Sequence, residues 1–346
     1  MQNDDRSNCK YVFVCGLARS GTSVIARNIG RLHNCTGLKD TGVLEDEGQF
    51  LQDVYPIAGD CGGDGRFGFD PRMHLTETSS LLTPDNVDKL RKSWEPYWDT
   101  SKTIYLEKTP GNLLKTRFLQ AAFPNSYFVV IKRHPVPVSI AIQKWKINVT
   151  SLYNLFEHWL QCYNLFEQDK MHLEHLYELR YEDYVENPGK YHEEIAAFLG
   201  TRVLEPPEQD KFRLVTKLDY PSGLRVPEMS MEQTSGVYNK KYFDRWRHLL
   251  TKSPFRDYYR YIARKYQPRF AKHGYSLTKD LGIDDEVIKG TQISTALGLV
   301  YCGIADTSAT LRRFGTRVAW QIRGQVKAAL PKSVVVRIKQ VRERAH

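Results

Sequence analysis

The sequence predicts an α/β fold in which a parallel β-sheet is flanked by helices on both faces. One observation is the apolar run Tyr11–Cys15, which is followed by the glycine-containing loop GLARSGTS and then by the amphipathic segment VIARNIGRL. A strand, a glycine loop and a helix in this order open many nucleotide-binding α/β folds. The other observation is that apolar runs and helical patterns keep alternating along the chain, which is typical of parallel sheets covered on both faces.

Further elements follow the same two patterns. Apolar runs predict two more buried strands, at Thr103–Leu106 and Tyr127–Ile131. Helical spacing predicts helices at Val87–Trp98, at about Leu113–Ala122, from the third strand through Trp145, and at Leu152–Phe166 and Glu193–Leu199. The Gly-, Asp- and Pro-rich segment Asp60–Leu82 is expected to be a long loop that acts as a lid over a cleft. We expect residues 1–10 to be a tail, 11–280 a catalytic domain and 281–346 an extension.

Composition limits the classes of protein that fit. The 346 residues are 41% hydrophobic and 26% charged, as in an ordinary globular protein. Six scattered cysteines form no CxxC pair, and no histidines are grouped at zinc spacing, which argues against a disulfide framework and a structural metal site. No signal peptide is visible at the N-terminus, and the uncharged stretch Gly290–Ala305 is too short and polar for a membrane span. A cytoplasmic location is therefore expected.

The positive charge is concentrated at the C-terminus. From Leu311 to His346 there are ten Lys or Arg residues and one acid, Glu343, which makes +9 of the net charge of +10. The rest of the chain is nearly neutral, so no nucleic-acid partner is expected. Apolar residues spaced three and four apart predict a basic amphipathic helix that ends before Pro331, and these residues are Leu311, Phe314, Val318, Ile322 and Val326. Three roles stay open for residues 311–346: peripheral contact with an anionic membrane, docking on the body or another subunit, or packing on its own domain.

The loop after the first strand has the features of an anion-binding site. Gly16, Gly21 and Ser23 match the Walker pattern GxxxxGK(S/T), but Thr22 stands at the lysine position. The glycines let the backbone close around an anion, the following helix directs its first N–H groups towards it, and Arg19 adds a fixed positive charge. The missing lysine and the lack of a clear Walker-B aspartate argue against routine ATP hydrolysis.

Several segments resemble the sulfotransferase superfamily that uses 3'-phosphoadenosine-5'-phosphosulfate (PAPS). GLARSGTSVIARNI is similar to its 5'-phosphosulfate loop, and YFVVIKRHPVPVS is similar to its second signature, which holds the 3'-phosphate. LEKTPGN resembles the EK(S/T)P turn of carbohydrate sulfotransferases, and LRYEDYVENP resembles a stretch that is mostly scaffold. The matches cover roughly residues 11–277 and imply a P-loop-like fold, PAPS as cosubstrate and no metal.

The resemblance also implies which residues bind the donor. Those on its 5' side are Arg19, Ser20, Gly21, Thr22 and Ser23. Arg133 is expected to grip the 3'-phosphate, with Ser139 as its partner. Many members place this serine eight residues after the arginine, whereas here that position is Ala141 and Ser139 stands six residues on.

Sulfuryl transfer to an alcohol also requires a base for the acceptor hydroxyl. In the family a catalytic Glu often stands two positions before a His, Arg or Gln that is followed by an apolar pair. Glu47 matches this arrangement, because Gln49, Phe50 and Leu51 follow it at these positions. Glu45 is the alternative. By the same resemblance Lys108 is expected beside the transferring group or the acceptor, whereas His134 is expected to be structural. A stripe containing Tyr238 and Trp246 is expected to be core, with contact to the adenosine or the 3'-phosphate as the alternative.

The predicted function is transfer of a sulfuryl group from PAPS to a hydroxyl acceptor. The resemblance of LEKTPGN implies that the acceptor is a carbohydrate or glycolipid. The alternatives are a P-loop kinase that uses ATP and a non-catalytic nucleotide-binding relative.

Overall fold

A single parallel sheet organises the protein. The computed structural model describes residues 9–143, 150–204 and 240–329. Its five strands lie in the order β2-β3-β1-β4-β5, and every pairing is parallel. The strands are β1 (Lys10–Gly16), β2 (Cys35–Gly37), β3 (Ile104–Lys108), β4 (Ser126–Lys132) and β5 (Leu176–Arg180). All three predicted strands are present, as β1, β3 and β4.

Alternate residues of the strands face two separate apolar cores. Val12 and Val14 of β1 lie in the core on one face, whereas Phe13 and Cys15 lie in the core on the other. The helices that cover the first face are α1 (Thr22–Ile29), α6 (Tyr181–Glu186) and α7 (Pro188–Phe198). Those on the second face are α2 (Pro84–Trp94), α3 (Thr116–Ala122), α4 (Pro135–Gln143), α5 (Leu152–Asp169), α8 (Lys241–Thr251) and α9 (Arg256–Ala271). The predicted α/β class, with helices on both faces, is confirmed.

The strand register brings the predicted signature segments to one edge of the sheet. Val14 of β1 pairs with Lys108 of β3, and Gly16 pairs with Ile131 of β4. The loop after β1, the end of β3 and the residues after β4 therefore meet at the carboxyl ends of the central strands, where open α/β sheets bind their ligands.

The segment predicted to be a lid is instead a packed wall. Residues 60–82 contain no strand or α-helix, but tight 3-10 turns occur at Phe67–Phe69 and Pro71–Met73. Phe67 and Met73 are fully buried. A Cβ atom on Gly68 would lie 2.3 Å from the Cys162 sulfur of α5, so backbone and helix are in direct contact. The correction has a simple cause: Phe67 buries its ring against His158 of α5, and Met73 is buried beside Lys115.

The C-terminal extension begins with a helix that is longer than predicted. Helix α10 (Gln292–Ala329) has 38 residues, about 57 Å, and starts well before the predicted Leu311. Pro331 and the run Val334–Val336 lie outside the described residues. Within the described ranges, none of the helices combines the length and hydropathy needed to cross a bilayer.

Candidate active site

The loop between β1 and α1 forms a backbone cradle at the edge of the sheet. Arg19 (φ 70°) and Gly21 (φ 98°) have left-handed backbone, and Gly21 immediately precedes α1. A Cβ atom on Gly21 would lie 2.5 Å from the ring of Tyr181, so only glycine fits. The first N–H groups of α1 follow directly and point out of the helix start. This geometry suits an anion.

Arg133 ties the second signature segment to the first. Its Nη1 donates a hydrogen bond to the backbone oxygen of Arg19 at 2.8 Å. Its guanidinium group also lies 4.0 Å from the centre of the Tyr181 ring. Tyr181 therefore touches both the loop glycine and the arginine. The arrangement holds a fixed positive charge beside the cradle.

Tyr181 was missed by the sequence interpretation, which treated its segment as scaffold. It is the first residue of α6 and directly follows β5, a strand that was not predicted. Its position just past a strand, at the ligand-binding edge, would have been the signal. β5 escaped notice because three of its five side chains are half-buried and one is exposed, which leaves no continuous apolar run.

Ser139, the predicted partner of Arg133 at the 3'-phosphate, is buried within α4. Its side chain is 1% exposed, and its hydroxyl has no hydrogen-bond partner in the part of the chain that the structure describes. A buried hydroxyl without a partner destabilises the fold, typically by about 1–3 kcal/mol. A ligand oxygen at this position would remove that cost. The residue at the family's usual spacing, Ala141, is also buried and has no polar group to offer.

The predicted catalytic residues meet in one buried cluster. Lys108, the last residue of β3, donates from Nζ to Glu47 Oε1 at 2.8 Å and to Glu45 Oε2 at 3.2 Å. The same Glu45 oxygen accepts a hydrogen bond from Ser23 Oγ at 2.6 Å. The lysine is therefore held between two carboxylates, and Ser23 joins this cluster to the phosphate loop.

The two carboxylates differ in basicity because their surroundings differ. Burial alone would raise the pKa of Glu45, but the Lys108 ammonium and the Ser23 hydroxyl outweigh it and lower that pKa to about 2. For Glu47, burial prevails over the attraction of Lys108, and the nearby Glu45 charge adds to it, so its pKa is raised. Burial opposes the charge on Lys108, but the two carboxylates together raise its pKa. Glu47 is therefore the stronger base of the pair, and Lys108 stays charged.

Glu47 is braced from several directions. Gln49 Nε2 donates to Glu47 Oε2 at 2.5 Å, and Gln49 Oε1 accepts from the backbone N–H of Ala58. The backbone N–H of Gly48 donates to Glu107 Oε1 at 2.9 Å, and its carbonyl accepts from Trp94 Nε1 at 3.0 Å. The position of the candidate base is thus set by contacts with β3, with α2 and with the turn that begins at Ala58.

The turn that carries Glu45 is conformationally strained. Glu45 (φ 52°) and Asp46 (φ 50°) are consecutive non-glycine residues with left-handed backbone. Such residues cost roughly 1–2 kcal/mol each, and their surroundings must compensate. Asp46 Oδ1 accepts hydrogen bonds from both the backbone and the hydroxyl of Thr41, and Glu45 has Ser23 and Lys108. These hydrogen bonds hold Glu45 against the phosphate loop in spite of the strain.

A third acid, Asp64, belongs to the site and was missed from the sequence. It stands in the wall segment among Gly62, Gly63 and Gly65, all of which have positive φ. Burial and then the charges of Glu47 and Glu45 raise its pKa to about 7. An acid inside the glycine run CGGDG was the available signal, but nothing in the sequence placed that run beside Glu47.

His134 takes no part in this cluster. Its Nδ1 accepts from the backbone N–H of Val136, and its Nε2 lies 3.0 Å from the Ser276 carbonyl. Burial lowers its pKa to about 3, so the ring is neutral. Trp246 is likewise buried and donates to the Leu277 carbonyl, whereas Tyr238 lies outside the described residues. Across residues 9–143, 150–204 and 240–329, no grouping of three or more His, Cys, Asp or Glu side chains could hold a metal ion.

Comparisons with known proteins were made for the family and for the fold. A model described as the sulfotransferase family matches residues 12–206, which is more than half of the chain. No curated protein sequence matches the chain. Solved structures similar to it include sulfotransferase STF1 from Mycobacterium tuberculosis H37Rv, at 15% identity and a TM-score of 0.39, covering 58% of this chain and 70% of that one.

Two more solved structures show the same level of similarity. The sulfotransferase from Alicyclobacillus acidocaldarius is 12% identical with a TM-score of 0.41, over 80% of this chain and 97% of that one. A retinol dehydratase in complex with retinol and PAP is 16% identical with a TM-score of 0.30, over 56% and 61%. The family match includes the phosphate loop, the Glu45–Glu47 turn, Lys108 and Arg133. The chain therefore belongs to the sulfotransferase family, as its resemblance in sequence had indicated.

Proposed function

We propose that the protein transfers the sulfuryl group of PAPS to a hydroxyl group of a saccharide or glycolipid. The observation that carries this proposal is the placement of Lys108 between Glu45 and Glu47, with Ser23 joining Glu45 to the phosphate loop. An anion cradle, a fixed ammonium group and a carboxylate base within hydrogen-bond reach of one another are the parts that sulfuryl transfer to an alcohol requires.

The residues present fit the donor at both of its ends. The loop amides and side chains of the 5' site would hold the phosphosulfate, and these residues are Arg19, Ser20, Gly21, Thr22 and Ser23. Arg133 and Ser139 would hold the 3'-phosphate. The Ser139 hydroxyl supports this assignment, because it is buried and lacks a hydrogen-bond partner among the described residues. PAPS supplies an activated sulfuryl group and a stable leaving group.

In the proposed reaction Glu47 accepts the proton of the acceptor hydroxyl. The acceptor oxygen bonds to sulfur, the bond between sulfur and the 5'-phosphate oxygen breaks, and PAP leaves with the electron pair. Glu47 suits this role better than Glu45, because its pKa is raised whereas that of Glu45 is lowered to about 2. Glu45 instead holds Ser23 and Lys108 in place. Lys108 would stabilise the charge that develops on the transferring group.

The acceptor class rests on the resemblance of LEKTPGN to the turn of carbohydrate sulfotransferases. That turn also has a structural role here. Glu107 accepts hydrogen bonds from Gly48, Thr109 and Asn112, so the turn and the base-bearing segment are joined. We propose that residues 11–280 form the catalytic body and residues 281–346 an extension to it. The cytoplasmic location stays a prediction.

The decisive experiment is thermal stabilisation by PAP, compared with ATP with and without magnesium. PAP at about 100 times its dissociation constant should stabilise the fold by about 2.7 kcal/mol. Arg133→Ala should abolish this rise, whereas Arg72→Ala, an exposed arginine outside the site, should keep it. A rise only with ATP and magnesium would establish the kinase alternative. PAP binding without any PAPS turnover on a panel of saccharides and glycolipids would contradict the proposed acceptor and favour the non-catalytic alternative.

A further inference from the structure

Helix α10 has two unlike faces between Ile293 and Phe314. One face packs on α9, and its residues Gly298, Cys302 and Ala309 are buried. The opposite face carries large apolar side chains that are between 42% and 74% exposed. These residues, here named the apolar stripe, are Ile293, Leu297, Val300, Ile304, Leu311 and Phe314.

The apolar stripe keeps to one side of the helix. Its members are separated by four, three, four, seven and three residues, so they lie on one side of the helix. The stripe runs for about 32 Å. Single exposed apolar residues are common on protein surfaces, but six large ones aligned on one side of a helix mark an interaction surface.

Charge identifies the partner. The stripe begins in the uncharged stretch Gly290–Ala305 and runs into the segment from Leu311 to His346, which carries ten basic residues and one acid. We propose that the apolar stripe docks on the surface of an anionic lipid bilayer, with the basic segment held by the headgroups. A second copy of the chain would instead bring two segments of charge +9 together, which repel each other.

The docked helix would lie along the membrane rather than across it. None of the described helices is long and apolar enough to span a bilayer. An amphipathic helix that combines an apolar stripe with basic residues binds in the plane of the interface. The sequence left membrane contact open as one of three roles of residues 311–346, and the apolar stripe would extend such a surface back to Ile293.

The contacts of α10 connect the docked surface to the active site. Asp306 of α10 accepts hydrogen bonds from Ser151 and, at 2.8 Å, from Asn154 Nδ2, both at the start of α5. The next residue, Leu155, touches the backbone at Gly65, where a Cβ atom would lie 2.5 Å from its Cδ2. Gly65 adjoins Asp64 in the wall of the site. Docking would therefore hold that wall near the lipid surface, which suits a glycolipid acceptor and to that extent rests on the proposed function.

The test is co-sedimentation of the full chain with vesicles. Vesicles of phosphatidylcholine alone are compared with vesicles that also contain phosphatidylglycerol. Leu311→Ser should weaken binding to the anionic vesicles at least about tenfold, since it removes a leucine side chain that docking would bury in the lipid. Leu299→Ser is the matched control, because Leu299 is a leucine of the same helix that is 55% exposed, about 100° around the helix from Val300. It should bind within about twofold of the unmodified chain.

Three results would overturn the docking proposal: no binding to anionic vesicles, equal binding to both kinds of vesicle, or equal effects of the two substitutions. A dimer in sedimentation velocity that Leu311→Ser dissociates, together with no vesicle binding, would identify a second copy as the occupant. PAP stabilisation measured on the same samples separates the two proposals. A chain that binds anionic vesicles but not PAP would refute the proposed function and leave docking intact.

Discussion

Lys108→Met removes the one ammonium group that the buried cluster places between Glu45 and Glu47. The side chains involved are only 6% exposed for Lys108, 9% for Glu47 and 17% for Glu45. Breaking a buried ion pair from one side typically costs about 3–5 kcal/mol, because the remaining charge is left without compensation. We expect a loss of that size in the free energy of unfolding at pH 8, measured by urea denaturation without ligand.

The stability lost through Lys108→Met should also depend on pH. Without Lys108 the pKa of Glu47, already raised by burial, should rise further. A carboxyl group whose folded pKa is raised destabilises the fold when it is ionised, and the penalty disappears as pH falls below its unfolded pKa. The loss caused by Lys108→Met should therefore be smaller at pH 5.5 than at pH 8.

Two controls isolate the electrostatic cause. Lys89→Met removes a lysine that also lies 2.7 Å from a carboxylate, Asp53, but both side chains are more than half exposed, so we expect a loss of less than about 1 kcal/mol. Adding Glu45→Gln and Glu47→Gln to Lys108→Met removes the uncompensated charges and should recover most of the lost stability. The reasoning is refuted if Lys108→Met costs no more than Lys89→Met at pH 8, or if its cost does not change with pH.

Three further predictions concern the base, its support and the wall. With Glu47 as the base, kcat should rise with pH as its carboxyl group ionises. Glu47→Gln should lower kcat about 10²–10⁴-fold and remove this pH dependence, while stabilisation by PAP is kept. An unchanged kcat would show that Glu47 is not the base. Gly48→Ala should cost about 1–3 kcal/mol in thermal unfolding, because its Cβ would lie 2.7 Å from Trp94 Nε1, whereas Gly189→Ala, with no atom within 4 Å, should not destabilise. Asp64→Asn should stabilise the fold at pH 8 and should stabilise it less at pH 5. The raised pKa of about 7 means that the ionised carboxylate destabilises the fold from about pH 4 upward, and the asparagine removes this penalty. An equal gain in stability at both pH values would contradict this cause.

Much of the architecture could be predicted from sequence because buried parallel strands are continuous apolar runs. Tyr11–Cys15 and Tyr127–Ile131 are such runs, and each was observed with one more residue at either end. The edge strands were missed for opposite reasons. Cys35–Gly37 is only three residues long, and Leu176–Arg180 is largely half-buried or exposed.

The site was predictable only as far as local motifs reach. The phosphate loop, Lys108 and the acidic turn each have a sequence pattern, and the fold brings them together. Tyr181 and Asp64 have no such pattern, because they join the site through the packing of α6 and of the wall segment. Which of Glu45 and Glu47 is the stronger base also required the structure, since their difference arises from Ser23 and from unequal burial.

The attachment of Gly48 to Glu107 has a consequence for how such an enzyme can change its acceptor. Glu107 and Lys108 are neighbours on one buried strand, and one fastens the base-bearing turn while the other pairs with the base itself. The distance between the Glu47 carboxylate and the Lys108 ammonium group therefore depends chiefly on the strand β3. Substitutions in segments that touch neither this strand nor the Glu45–Glu47 turn can then alter which hydroxyl enters without moving the base relative to the ammonium group. Selection for new acceptors is thereby separated from selection for chemistry.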